Sequence, residues 1–301
     1  MADADAGAAT GLVIGSGMLL HARAEQPGTV MIAPLDAPDL GRALPLRCDR
    51  VHFAAKRGIC LIDTRERVYP PAQAIIFDER ARPLARFDLA GVPSRARVSP
   101  GGRYASATVF VQGDSYDSPL GMSTRTTIID LERATVVGDL EQFAVAPEGR
   151  PQREAEFNFW GVTFAGDGGR FYATLGAGAE TYLLAGDVTS RSLRILRRGV
   201  ECPSLSPDGR RIAYKHRLAD GGWRLHVLEL ANLRDRPLAD LRAYDDQAEW
   251  LDDRTVLYGH HEQRIDERTG GAAVNIWALA IDGDAPPRRL VVGGFSPAVV
   301  R

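Results

Sequence analysis

Eight acidic side chains could do chemistry if the fold brought them together: Asp114, Asp117, Glu154, Glu156, Glu201, Asp245, Asp246 and Glu249. Converging carboxylates could coordinate Ca2+, which takes roughly six to eight oxygens. Two of them with unequal pKa values could serve as general acid and base. Arg50, Arg95 and Arg97 stand near the same level, and no Asp-x-Asp-x-Asp-Gly loop occurs. The pattern favours solvated or arginine-paired carboxylates. No cofactor is expected, with Ca2+ the one ion the carboxylates would suit.

The other reactive residue types form no recognisable constellation. His260-His261-Glu262 invites a metal reading, but adjacent histidines on a strand point to opposite faces, and HExxH spacing is missing. His52 and His216 occupy inner positions without an identifiable partner. Gly15-Ser-Gly-Met18 does not fit a nucleophile elbow. Gly166-Asp-Gly-Gly169 and the glycines from Gly11 to Gly17 lack a following helix that could cradle phosphate. Phe157, Phe159, Trp160 and Trp250 could line a binding mouth, although packing between sheets accounts for them more simply.

The elements that would position these residues come from a repeat. Cys202-Pro-Ser-Leu-Ser-Pro-Asp-Gly-Arg-Arg-Ile-Ala-Tyr214 is a strand, a Pro-Asp-Gly turn and a second strand. Related segments surround Arg97–Tyr104, Thr163–Phe171, Trp250–Leu257 and, degenerately, His52–Cys60. The apolar residue before each turn is Phe53, Val98, Phe164, Leu205, Leu251 and Val299, at intervals of 45, 66, 41, 46 and 48 residues. A period in the forties built of paired strands marks a β-propeller. Third strands follow at Gln73–Asp78, Thr126–Leu131, Thr181–Leu184, Arg224–Leu230 and Asn275–Ile281, and a fourth at Asp235–Ala239. Alternation and β-branched content favour strands throughout.

Three strand candidates open the chain, at 18–22, 29–33 and 42–46, and a lone first-strand copy ends it at 296–300. Together they complete one blade and close a six-bladed ring of four antiparallel strands per blade. Length alone suggests two domains; the ring argues for one spanning 11–301, behind a flexible Ala/Asp-rich segment at 1–10. Gly11–Leu20 reads as a buried strand.

Composition agrees: 45% hydrophobic and 25% charged residues support a large core, and the 31 glycines and 18 prolines suit a turn-rich β protein. A net charge of -2 offers no basic field for nucleic acid or an anionic membrane. No apolar run is long enough to span a bilayer. Of the three cysteines, Cys48 and Cys60 could bridge in an oxidising compartment. A turn near Lys56-Arg57-Gly58 would instead place Cys60 opposite Phe53, favouring buried free thiols.

Pro203-Ser-Leu-Ser-Pro-Asp-Gly-Arg-Arg-Ile-Ala-Tyr214 resembles the repeat of TolB-like propellers, which are related to WD-repeat blades. Gly91–Pro100, Asn158–Ala165, Val200–Gly209, Asp245–Asp253 and Phe295–Val300 resemble the actinobacterial proteins labelled TolB-like translocation proteins. The resemblance implies a six-bladed propeller exported to the cell envelope, with a cytoplasmic chain the alternative. TolB itself is a periplasmic partner-binding protein. The family supplies no catalytic residues.

In such a propeller the loops from fourth to first strands, and from second to third, share one face. The segments at 112–125, 148–157 and 260–271 lie there, and long loops on a rigid scaffold concentrate binding residues. The candidate binding set is Arg50, Arg95, Asp114, Tyr116, Asp117, Glu154, Trp160, Glu201, His216, Asp245, Asp246, Glu249 and His260. The expectation is a monomeric, non-catalytic propeller engaging a protein, peptide, envelope component or small ligand through that face. The alternatives are a hydrolase, lyase or cyclase at an acidic, aromatic channel mouth, and a structural Ca2+-stabilised ring.

Overall fold

The computed structural model describes residues 12–23, 28–64, 71–111, 123–146, 148, 157–240, 246–265 and 272–301, with the backbone alone for 261–265 and 272–273. Six sheets form the blades of a propeller. Blade 1 contains β1 (Met18–Arg23), β2 (Gly28–Pro34), β3 (Arg42–Cys48) and the last strand, β25 (Gly294–Val300). Blade 2 is β4 (Arg50–Ala54), β5 (Arg57–Asp63), β6 (Ala72–Asp78) and β7 (Pro83–Leu89). Blade 3 is β8 (Val92–Val98), β9 (Tyr104–Phe110), β10 (Thr124–Asp130) and β11 (Thr135–Asp139).

Blade 4 is β13 (Phe157–Phe164), β14 (Arg170–Ala177), β15 (Glu180–Asp187) and β16 (Ser192–Arg198), joined by the short β12 (Ala144–Val145). Blade 5 is β17 (Glu201–Leu205), β18 (Arg211–Arg217), β19 (Trp223–Glu229) and β20 (Arg234–Pro237). Blade 6 is β21 (Glu249–Asp252), β22 (Thr255–Ile265), β23 (Ala272–Ala280) and β24 (Arg288–Val292). Among the described residues the one helical element is a 3-10 turn at Leu140–Gln142, and no helix is long and apolar enough to cross a membrane.

Closure follows the expected scheme. The ends pair antiparallel with Met18 opposite Val300 and Leu20 opposite Ala298, and Leu19, Leu20 and Ala298 are fully buried. Each buried leucine contributes about 1.5–3 kcal/mol. The Ser296 hydroxyl donates to Val51 O and accepts from Val51 N–H, both at 3.2 Å, tying blade 1 to blade 2. Apolar side chains from facing sheets fill the seams. Trp250 and Tyr258 join Ala213 and Val227 between blades 5 and 6, while Phe159 and Leu175 join Tyr104 and Ile128 between blades 4 and 3.

Three expectations need correction. Cys48 and Cys60 form a disulfide, with Cα atoms 5.4 Å apart. The hairpin turns at Ala55-Lys56, both at positive φ (43° and 68°), a two-residue turn whose twist suits the flanking strands. Cys60 therefore faces Val51, not Phe53, close to the Cys48 end of the preceding blade.

The first strand begins at Met18, not Gly11. Gly17 takes φ 78°, and Leu12–Gly15 is irregular, with Ile14 buried and its N–H bonded to Glu79 O. Blade 4 keeps its four antiparallel strands and carries the two-residue β12 in addition, paired parallel to the outer strand β16. The segment expected as a loop at 260–271 begins in strand, since β22 continues to Ile265, and 266–271 lie outside the described residues. The proposed flexible segment at 1–10 lies outside the described residues.

Irregularities in the inner strands decide where the upper side chains go. The pairing of first and second strands breaks register between Pro93 and Arg95, between Trp160 and Thr163, and between Glu201 and Ser204. Such bulges bend a strand and re-aim its side chains. Gly161, at φ 64°, lies within the second of them. A Cβ there would come 2.7 Å from Cys202 Cα, so a side chain is excluded.

Candidate functional site

Two cavities matter, at different ends of the first strands. One occupies the central channel beside the turns that join first to second strands, with a volume of about 180 Å3. Ala54, Val98, Phe164, Leu205 and Val299 form apolar walls, and His52, Arg97, Glu249 and Arg301 supply the charge.

This ionic cluster spans the ring. Arg97 of blade 3 donates through Nη1 to Glu249 Oε2 of blade 6 and through Nη2 to Ala248 O at 2.9 Å. Arg301 donates to Glu249 Oε1 at 3.2 Å and also to Trp250 O. His52 Nδ1 accepts the Val98 N–H at 3.2 Å, which leaves its proton on Nε2, 3.7 Å from Glu249. Burial pushes the Glu249 carboxyl up, but the Arg97 charge, His52 and Arg301 prevail and hold it at about 2. Burial likewise lowers His52. Glu249 is thus a fixed anion clamped by guanidinium groups.

Further along the channel, Arg95 Nε lies 3.9 Å from Asp246 Oδ1. Arg50 donates to Ser94 O at 2.6 Å and Asp49 O at 2.7 Å, with its guanidinium 5.6 Å from the Phe295 ring centroid. Gln247 bridges blades 4 and 5 by donating to Val162 O (3.1 Å) and Pro203 O (2.6 Å). The arginine-paired reading of the carboxylates holds for Glu249 and Asp246.

The second cavity, about 310 Å3, opens on the opposite face, where second strands connect to third, between blades 4 and 5. Trp160, Asn158 and Gly176 of blade 4 face it together with Glu201, Arg217 and Trp223 of blade 5; Gly178, Ala179, Glu180 and Thr181 form the rim. Trp160 packs its benzo edge over Gly176, where a Cβ would come within 2.7 Å of the ring. Trp223 Nε1 donates to Glu201 Oε2 at 3.1 Å, and Lys215 Nζ sits 3.9 Å from the Trp223 ring centroid.

The candidates therefore divide. Trp160 and Glu201 meet in the cleft, whereas Arg50, Arg95, Asp246 and Glu249 stay in the channel. His216 stacks on His226 at 4.5 Å between ring centroids, beside Asp235, which His226 contacts at 2.8 Å. His260 pairs with Asn275 within the blade 6 ladder. Asp114, Tyr116, Asp117, Glu154 and Asp245 lie outside the described residues.

Among the described residues no group of three or more His, Cys, Asp or Glu side chains could hold a metal ion. Trp223, Arg217 and Lys215 were missed by sequence reasoning; a tryptophan beside the Ala-Asp-Gly-Gly turn after the second strand was the available signal. Phe159 and Trp250 pack in seams, and Trp250 Nε1 donates to Ser204 O at 2.8 Å.

No family model matches the chain, and no curated protein matches it. Solved structures do. TolB from Acinetobacter baumannii is similar at TM-score 0.64 and 16% identity, over 96% of this chain and 68% of that one. A putative TolB from Agrobacterium tumefaciens gives 0.58 and 12%, over 94% and 91%. A chain of a nidogen–laminin complex gives 0.59 and 14%, over 93% and 97%. At such identities the likeness shows the fold, and enzymes are also among the matches.

Proposed function

We propose that this protein is a binding propeller that engages a protein, peptide or envelope component through the face bearing the second-to-third-strand loops. One observation carries the reading: the larger cavity, about 310 Å3, opens on that face, while a salt-bridged cluster crosses the channel. The cluster is poorly suited to acid–base catalysis. Glu249 holds its proton only near pH 2, and neither nitrogen of His52 is left to take one from a substrate.

An extracytoplasmic location is part of the proposal, supported by the buried Cys48–Cys60 disulfide. Membership of the actinobacterial TolB-like translocation proteins rests on the segments that resemble them and on the shared six-bladed fold. The test places a photo-crosslinking residue at Thr181, on the cleft rim, or at Pro207, on the opposite face. Partner capture at 181 and not at 207 is expected. Capture at 207 alone would overturn the assignment of the face.

A further inference from the structure

The chemistry of the cleft between blades 4 and 5 narrows what it can hold. This step rests on the loop-bearing face being the binding face and names a ligand class for it. At about 310 Å3 the cleft lies at the low end of small-molecule sites, roughly 300–1,000 Å3. It suits one or two rings, not a folded surface.

Charge enters the cleft in opposed sets. Glu180 has Arg198 at 3.0 Å and accepts the Tyr182 hydroxyl. Glu201 is 3% exposed, and its register partner Lys215 is fully buried against Trp223. Arg217 places its guanidinium 5.4 Å from the same ring centroid. An entering cation would approach Arg217, and an entering anion would approach Glu180 and Glu201. Either would meet like charge in a half-buried site, where such approaches are costly.

A neutral hydroxylated ligand avoids the conflict, because each hydroxyl both donates and accepts. Two indoles add to this set. Trp223 is half-buried, and Trp160 is 3% exposed, with its Nε1–H lacking an acceptor among the described residues. A buried donor of that kind calls for a ligand oxygen or an ordered water. Aromatic surface beside mixed donors and acceptors matches the amphipathic surface of a sugar, whose C–H faces are apolar and whose rim is polar.

We propose that the cleft binds a neutral sugar ring, the terminal unit of a glycan. The test titrates the full chain with maltose, cellobiose, trehalose and N,N′-diacetylchitobiose. Sodium acetate and ethylamine hydrochloride serve as charged probes, and tryptophan fluorescence and saturation-transfer NMR are read. At least one disaccharide is expected to bind at millimolar concentration in preference to both charged probes. Trp223→Ala is expected to weaken it about tenfold or more, equivalent to about 1.4 kcal/mol.

Trp223 also covers Lys215, so Ala179→Trp is the second variant: it fills the mouth from an exposed turn position and is expected to abolish binding with the fold intact. No binding by any of the four sugars at tens of millimolar, preference for a charged probe, or binding unchanged in A179W would overturn the proposal. If crosslinking at position 181 captures a partner that no sugar displaces, the sugar assignment falls while the binding face stands.

Discussion

Glu249→Gln tests whether charge ties the blades together across the channel. The residue is 4% exposed, its carboxylate bonded to Arg97 and Arg301, with His52 3.7 Å away. Burial opposes the anion and Arg97 leads the groups that restore it, leaving the carboxyl at about 2 against an ordinary 4.5. At about 1.4 kcal/mol per pH unit, that gap is worth ~3 kcal/mol. The folded carboxyl binds its proton less readily than the unfolded one. The stabilisation is therefore complete above pH 4.5 and drains as pH falls toward 2.

The amide keeps the shape and removes the charge, leaving two guanidinium groups facing a neutral group. E249Q is expected to lose ~3 kcal/mol in urea unfolding at pH 7, or about 5 °C in Tm for a chain of this length. The deficit should shrink at pH 3 and be nearly gone at pH 2. Equal stability at pH 7, or a deficit of the same size at pH 2, would refute the electrostatic account.

Two further outcomes are expected. His21 is 4% exposed, and burial holds it at about 4, so its neutral form stabilises the fold fully above pH 6.5. That contribution, ~3 kcal/mol, is lost as pH falls from 6.5 toward 4; His21→Gln should flatten this limb of the urea-unfolding profile, and an unchanged slope would count against it. Thiol titration of the urea-unfolded, unreduced chain should find one reactive cysteine, Cys202, and reduction should then lower stability by about 3 kcal/mol. Three reactive thiols before reduction would disprove the disulfide.

The ring was legible because its punctuation is chemical. Turn residues follow most of the first strands, as in Ser99-Pro-Gly-Gly102, Ala165-Gly-Asp-Gly168 and Ser206-Pro-Asp-Gly209, and the leftover strands at the two ends had to pair to avoid exposed edges. The disulfide was hidden because Ala55 and Lys56 adopt positive φ without being glycine, which moved the hairpin by a residue. A one-residue slip changes which side chains face each other. The fifth strand of blade 4 was equally hidden, since Ala144 and Val145 make a two-residue strand too short for any periodicity.

The candidate site was half legible for a related reason. Treating the first strands as regular placed Glu201, Asp246 and Glu249 at one level around one mouth. The bulge after Glu201 breaks that equivalence, carrying Glu201 to Trp223 while Glu249 stays in the channel under Arg97. The bulge after Trp160 accompanies the same change in blade 4, with Gly161 accepting the left-handed backbone it requires. Of the described carboxylates, Asp246 and Glu249 are thus paired with arginines in the channel, while Glu201 sits in the mixed-charge cleft. That division, more than the number of acidic residues, is what separates the proposed recognition face from the channel.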